Sequence, residues 1–421
     1  MPATAEAAGA TGTSPLVAAA AELAAQAREP ASRWDAEGRV PPDALRALAA
    51  AGLLAADLPS RHGGWDLAPA DLGEIAAHLG GVCSALRGLL TVQSMVAAAL
   101  LRWGTQAQRA DWLPRLADGT LTAGFAATED GAGSALGEVA TVVEDSGDGL
   151  LVTGRKRWVT FGGSADVLLV LGRHAEGLTT VLVETDRPGV HRESVTGQLG
   201  MRAAGIAHVT LDGVRVPADR RIAPPGAGLS HVAATALDHG RYTVAWGCVG
   251  MAEACVADAA AHAATRLQGG VPLGRHQSVG ALLAQSAVRA AAARELAARA
   301  GRARTRGPGH GLTETIMAKY AAAGAGAEAG RAAVQVLGAA GIAPDGTTGT
   351  PRSWRSSKEP RKWPNPIWPN SSYAASERSR DRHRSTAHRQ VPRLGPGRHS
   401  LGRRSSGGRR PPRPSRGRRR P

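Results

Sequence analysis

Phe125-Ala126-Ala127-Thr128-Glu129-Asp130-Gly131-Ala132-Gly133-Ser134 passes within ten residues from apolar, strand-compatible positions into a stretch with two glycines. Such a string reads as a strand end running into a Gly-rich turn, where bare backbone N–H groups and a hydroxyl let a flat heterocycle or a phosphate approach closely. A polar β-turn accounts equally well for an isolated Ala-Gly-Ser. Downstream come short β-branched runs broken by Gly, Asp and Pro: VATVVED (139–145), LLVTGRKRWVTF (150–161), ADVLLVLG (165–172), TTVLVET (179–185) and AHVTLDGVRVP (207–217). Residues from about 122 to 222 therefore read as a strand-and-turn domain.

On both sides the texture is different. Residues 15–118 are rich in Ala and Leu at helical spacing, as in DALRALAAAGLLAADLP, and Thr105-Gln106-Ala107-Gln108 opens a further helix after Gly104. From Gly228 to about 341 the helical spacing returns. The expected architecture is α+β and multidomain: an N-terminal helical domain (1–120), a middle β-barrel-like domain (121–226), a C-terminal helical bundle (227–350) and a disordered basic tail (351–421).

The order of the blocks and several strings resemble the acyl-CoA dehydrogenase family of flavoproteins over about residues 15–345. Leu58-Pro59-Ser60-Arg61-His62-Gly63-Gly64 and Trp103-Gly104-Thr105-Gln106-Ala107-Gln108 are similar to the family's LPxxxGG and fGTxxQ strings, and residues 125–134 to its TExxAGSD signature, with Ala135 in place of Asp. Lys156-Arg157-Trp158-Val159-Thr160-Phe161-Gly162-Gly163 is similar to KxWITNGG. Strand alternation predicts Trp158 and Thr160 on one face; a strand Trp is otherwise most often core. Arg266-Leu267-Gln268-Gly269-Gly270-Val271-Pro272-Leu273-Gly274-Arg275-His276-Gln277 keeps the spacing RxQFGxPIxxxQ, with Gly269 where Phe is usual. Gln335-Val336-Leu337-Gly338-Ala339-Ala340-Gly341 resembles QxxGGxG, although Gly338 or Gly341 alone reads as a helix C-cap.

The resemblance implies the acyl-CoA dehydrogenase fold, FAD as cofactor, and oxidation of an acyl thioester. It places Phe125, Ala127, Thr128, Trp158 and Thr160 against the flavin ring, and Ser134 near both the thioester and the flavin pyrophosphate. Arg266, Gln268 and Gln277 are expected at the FAD pyrophosphate of a neighbouring subunit, and Gln335 and Gly338 near the adenine half. That sharing implies a homodimer or homotetramer. With Gly269 replacing Phe, packing on the cofactor is expected to weaken. In Leu237-Asp238-His239-Gly240-Arg241, Asp238 and Arg241 flank the substrate entrance by resemblance; as sequence alone they read equally as a solvated i,i+3 pair. Some branches keep the catalytic Glu at the place of Gly240. Here the base is instead expected from an EGT string near the C-terminus, which this frame lacks, so the base is unassigned.

The tail bears on that loss. The chain holds 51 Lys+Arg against 35 Asp+Glu, but residues 351–421 carry 21 of the basic and 3 of the acidic groups, leaving 30 against 32 before them. The whole-chain charge of +16 thus describes the tail and gives no reason to expect a nucleic-acid partner for residues 1–350; a nucleic-acid-binding protein acting through the Arg-rich tail is the reading from another class. The tail's composition offers too little apolar area to fold. Codons permitted by Arg352 to Pro364, read one base later, spell VMEIIEGTQEMA, and the single-codon residues Trp354 and Trp363 both fit Met in that frame. The tail is therefore expected to be an out-of-frame read that replaces the active-site string.

Cys83, Cys248 and Cys255 form no C-x-x-C pair, which argues against a disulfide framework or a cysteine metal site and for a reducing compartment. With neither a basic n-region nor a run of 18 apolar residues, the expected location is cytoplasmic, with no membrane partner. Stretches such as CSALRGLLTVQSMV, GRKRWVTFG and QLGMRAAGIAHVT resemble the subgroup that makes hydroxymalonyl or methoxymalonyl extender units for polyketides. This implies a three-carbon, glycerate-derived acyl-ACP substrate, with electron-transfer flavoprotein as one possible acceptor. The alternatives are an ordinary acyl-CoA dehydrogenase forming a 2-enoyl-CoA and an oxygen-using flavoprotein of the same fold.

Overall fold

The computed structural model describes residues 14–307 and 309–342. The expectations for the tail and its out-of-frame string, from 343 onward, lie outside the described residues. The described residues begin with six α-helices: α1 (Pro15–Ala27), α2 (Ala31–Glu37), α3 (Pro42–Ala50), α4 (Pro69–Gly80), α5 (Ser84–Trp103) and α6 (Gln106–Ala117). Proline starts α1, α3 and α4, where a missing N–H breaks no helical hydrogen bond. Thr105 and Gln108 form a reciprocal capping box on α6. The Gln108 amide also donates to the carbonyls of Asp219 and Arg221, so this cap fastens the helical domain to the sheet.

The middle domain comprises β1 (Ala123–Ala126), β2 (Val142–Ser146), β3 (Gly149–Val159), β4 (Val167–His174), β5 (Gly177–Glu184), β6 (Val190–Ser194), β7 (Ala207–Pro217) and β8 (Arg221–Ile222). The ladder runs β6-β7-β3-β2-β4-β5-β8, with β1 parallel to β4 beside it; β6 and β8 are the edges. Val143, Val152, Val170 and Val181 fill its core. The exposed strand β6 had no expectation in the sequence: its His-Arg-Glu-Ser residues show no apolar alternation, and pairing with β7 alone makes it a strand. At the end of β5, Glu184 accepts hydrogen bonds from Arg187 (2.6 Å) and Arg220 (2.7 Å), and Arg220 stacks over Trp112 of α6.

A π-helical turn (Gly228–Ala233) leads into α7 (Ala234–Thr265), followed by the hairpin β9 (Leu267–Gln268) and β10 (Val271–Pro272), α8 (Gln277–Arg304), α9 (Leu312–Leu337) and α10 (Ala339–Ile342). Helix α7 is central, packing on α4, α5, α8 and α9. Glycines allow this: a β carbon on Gly250 would sit 1.9 Å from the Ala77 carbonyl oxygen of α4. Both α5 and Gly228–Thr265 are long and apolar enough to cross a membrane, but most of their apolar length is buried within the protein.

Candidate active site

The Gly-rich string lies where β1 ends. Glu129 and Ala132 close a tight turn through paired backbone hydrogen bonds (3.0 and 3.3 Å), and Ala127 and Ala132 bury their methyls against Leu171 and Ala233. Ser134 stays exposed beyond the turn, and a β carbon on Gly131 would meet no atom within 4 Å. The turn thus has a packed underside and an open, polar upper side.

A buried ion pair fixes it from below. The Lys156 ammonium, 0% exposed, donates to Glu129 Oε1 (2.6 Å), to the Ala127 carbonyl (3.4 Å) and to the Leu171 carbonyl. Glu129 also accepts from the Thr141 hydroxyl and from the amides of Ala140 and Thr141. Burial pushes the Lys156 ammonium down to about 8. Burial pulls the Glu129 carboxyl up, but hydrogen bonds from Lys156, Thr141 and Ala140 together outweigh that and hold it below its usual value.

Beside the turn, β3 is bulged. Its register against β7 slips between Lys156 and Val159, and Trp158 takes a left-handed backbone with φ 58°. The Arg157 amide donates to the Thr128 carbonyl (2.8 Å), joining bulge to turn, and the Trp158 amide donates to His208 Nδ1 (3.2 Å), whose ring meets the indole edge-on. The indole is 43% exposed although it sits on a sheet. The bulge corrects one expectation: Trp158 and Thr160 do not share a strand face, because alternation breaks at Trp158 and Thr160 falls in the turn after β3. Thr160 instead faces α5, with its methyl 3.9 Å from where a Gly88 β carbon would lie.

The structure gathers the sequence-derived residues into separate groups. Phe125, Ala127, Thr128, Ser134, Trp158 and Thr160 cluster around the β1 turn and the β3 bulge. Asp238 and Arg241 lie on the first turns of α7 but do not pair: Asp238 meets Arg304 of α8 at 2.7 Å, while Arg241 is exposed. Arg266, Gln268 and Gln277 are exposed around the β9–β10 hairpin. Its two-residue turn explains Gly269 by backbone, since Gly269 and Gly270 both have positive φ (60° and 80°), as a type I′ hairpin turn requires. Gln335 is exposed near the end of α9, and Gly338 (φ 59°) terminates that helix.

Sequence reasoning missed Gln93. This fully buried α5 side chain accepts from the Ala123 amide (2.8 Å) and donates to the Leu116 and Leu121 carbonyls, setting where β1 begins. Only a polar residue amid the apolar run of α5 hinted at it. The open turn, the exposed indole and the bare backbone fit the flat ring and phosphates of FAD.

Comparison with known proteins gives the same picture. The acyl-CoA dehydrogenase N-terminal, middle and C-terminal domain models match residues 14–120, 124–214 and 226–361. Glutaryl-CoA dehydrogenase of Desulfococcus multivorans is 32% identical over 324 residues, covering 74% of this chain and 82% of that protein. Among solved structures, FkbI, described as acting in biosynthesis of the methoxymalonyl extender unit of the Fk520 polyketide, superposes with a TM-score of 0.76. It shares 37% identity over 87% of this chain and 99% of its own. A Mycobacterium smegmatis glutaryl-CoA dehydrogenase in complex with FADH2 superposes with a TM-score of 0.75 at 25% identity, covering 81% and 87% of the two chains.

Proposed function

The chain belongs to the acyl-CoA dehydrogenase family of FAD-dependent oxidoreductases that act on acyl thioesters, and from that premise we propose that its substrate is a three-carbon, oxygen-bearing acyl group on acyl carrier protein, oxidised to supply a polyketide extender unit. The observation that carries this reading is the 37% identity to FkbI across 99% of that structure, against 32% and 25% for the two glutaryl-CoA dehydrogenases compared.

FAD, when bound, supplies the two-electron acceptor. The chain's own residues hold and orient the cofactor and the thioester. The turn at residues 127–134 offers amides and the Ser134 hydroxyl to the cofactor and thioester. Trp158 walls one side of the site and keeps water from it, and Asp238 and Arg241 stand at the entrance. Removal of the α-proton needs a base within hydrogen-bond reach; our reading assigns it to the EGT string that a one-base shift of the permitted codons would restore.

Sharing of the cofactor calls for a second copy. Exposed apolar groups suit one: Leu267 and Val271 on the hairpin beside Arg266 and Gln268, and Leu312, Ile316 and Tyr320 at four-residue spacing along α9. Solution mass is expected to be that of a dimer or tetramer.

The test is anaerobic. The gene, in the frame that restores EGT, is expressed, the yellow protein is mixed with the three-carbon acyl-ACP or with the matching CoA thioester, and flavin bleaching is followed. Faster bleaching by the ACP thioester is expected; bleaching by the CoA thioester alone, or by neither, sinks the proposal. Codons across Ser357 to Pro360 that cannot encode EGT sink the reading-frame account.

A further inference from the structure

At the bulge of β3, Lys156 pairs with Val209 of β7 and Val159 with Ala207, so Arg157 and Trp158 together stand opposite the single residue His208. A bulge of this kind leaves an amide without a place in the ladder. The Arg157 amide donates to the Thr128 carbonyl in the β1 turn (2.8 Å), and the Trp158 amide donates to the His208 side chain at Nδ1 (3.2 Å). The residue that faces the bulge thus supplies a side-chain acceptor for the displaced amide. It does so under a tryptophan whose left-handed backbone (φ 58°) is disfavoured for a bulky side chain.

That bond dictates the state of the imidazole. A backbone amide is always a donor, so Nδ1 carries a lone pair and the ring proton sits on Nε2. An imidazolium has a proton on both nitrogens. In that state Nδ1 and the Trp158 amide are two donors 3.2 Å apart, and the hydrogen bond is abolished. The strained backbone then keeps only the neighbouring Arg157–Thr128 bond.

The surroundings favour the neutral ring, which is 9% exposed. Arg157 and Arg155 face it from β3, Glu193 from β6 and Asp130 from the β1 turn. Burial is the largest influence and lowers the imidazole below its usual 6.5; the two arginines add to this and the two carboxylates offset only part. Each carboxylate is already engaged by one of those arginines, Glu193 by Arg155 (2.9 Å) and Asp130 by Arg157 (3.1 Å). A histidine lowered by folding gives its full contribution above the unfolded value of 6.5 and loses it as pH falls through the lowered one. Near neutral pH the acceptor is in place.

We propose that His208 is a positioning residue for the flavin wall: neutral, it holds the Trp158 indole at the site by accepting the Trp158 amide, and protonated, it releases the bulge, so that cofactor binding is coupled to one proton on this side chain. This rests on the reading of the β1 turn and β3 bulge as the flavin site. His208 meets the indole edge-on, with ring centroids 5.2 Å apart, and acts through it.

Dissociation constants for FAD on the full chain, measured by flavin fluorescence from pH 7.5 to pH 5.5, test the coupling. The unaltered chain is expected to bind FAD about fivefold or more weakly at the acid end, the equivalent of one hydrogen bond. H208N puts an amide oxygen where Nδ1 was and cannot take up the proton; it is expected to match the unaltered chain at pH 7.5 within about twofold and to stay flat. H208A is expected to be about fivefold weaker throughout, and also flat. A flat profile in the unaltered chain overturns the inference alone. So does an H208N profile as steep as that of the unaltered chain, or an H208N affinity as weak as that of H208A at pH 7.5. If the unaltered chain takes up no FAD at any pH, the flavin reading of the site falls together with the inference. Should H208N not fold, hydrogen exchange at the Trp158 amide of the unaltered, 15N-tryptophan-labelled chain decides: protection lost towards pH 5.5 supports the inference, and protection kept overturns it.

Discussion

Among the described residues two cations are taken out of water, Lys156 under the β1 turn and Arg87 between α5 and α7, and their surroundings differ. Lys156 has a carboxylate and two carbonyls at its ammonium, with Glu129 in turn supplied by Thr141 and Ala140. Arg87 has one long hydrogen bond and two neutral thiols. A satisfied buried ion is part of the scaffold, whereas Arg87 meets a hydroxyl and two thiols in the space that Gly247 leaves open. The same distinction separates the two domains: the sheet ties its turn through an ion pair, and the helical seam holds its cation without a carboxylate among the described residues.

Mutation separates the two. K156M leaves the Glu129 carboxylate without its cation, and unfolding by denaturant is expected to show a loss of about 3–5 kcal/mol, together with flavin retention. R87M removes an unpaired charge from an apolar seam and is expected to leave stability unchanged or raise it; a loss as large as that of K156M would break the comparison.

Glu184 offers a case between them. Burial raises its carboxyl, but Arg187 and Arg220 together bring it down to about 2 from an ordinary 4.5. A depressed carboxyl contributes stability that is complete above its unfolded value and disappears as pH falls from 4.5 towards 2. The contribution is about 3 kcal/mol at most. E184Q is expected to flatten that acid limb in thermal melts taken between pH 7 and pH 3, while an unaltered limb would remove Glu184 from the account.

The smallest effect is expected at His208. H208A deletes the acceptor for the Trp158 amide, a loss of about 1 kcal/mol, and shows chiefly as weaker flavin binding because the bulge loosens. Flavin affinity identical to that of the unaltered chain would mean that the bulge is held by the Arg157–Thr128 hydrogen bond alone.

Legibility followed periodicity and glycine. Strands β3, β4, β5 and β7 announced themselves by β-branched runs, the capping box of α6 by Thr105 and Gln108, and the turn at residues 127–134 by its glycines. Edge strand β6 did not, since an exposed strand needs no apolar alternation. The bulge at Trp158 was hidden for another reason: nothing local in Lys-Arg-Trp-Val says that two residues will oppose one, and pairing with β7 decides it. Gly269 looked like a lost aromatic contact and proved to serve the hairpin turn.

By itself the sequence determined the three blocks and the open turn, because helical and strand periods, caps and positive-φ glycines are local properties of the chain. It also determined that the whole-chain charge belongs to the last 71 residues. Only the tertiary structure decided which buried charges are paired. Arg87 and Lys156 are each one basic residue in an apolar or mixed run, and their difference lies in what residues 15 to 161 positions away bring to them: Gly247 and Cys248 in one case, Glu129 with strand β4 in the other. Desolvation depends on neighbours in space, and so does the meaning of a charge.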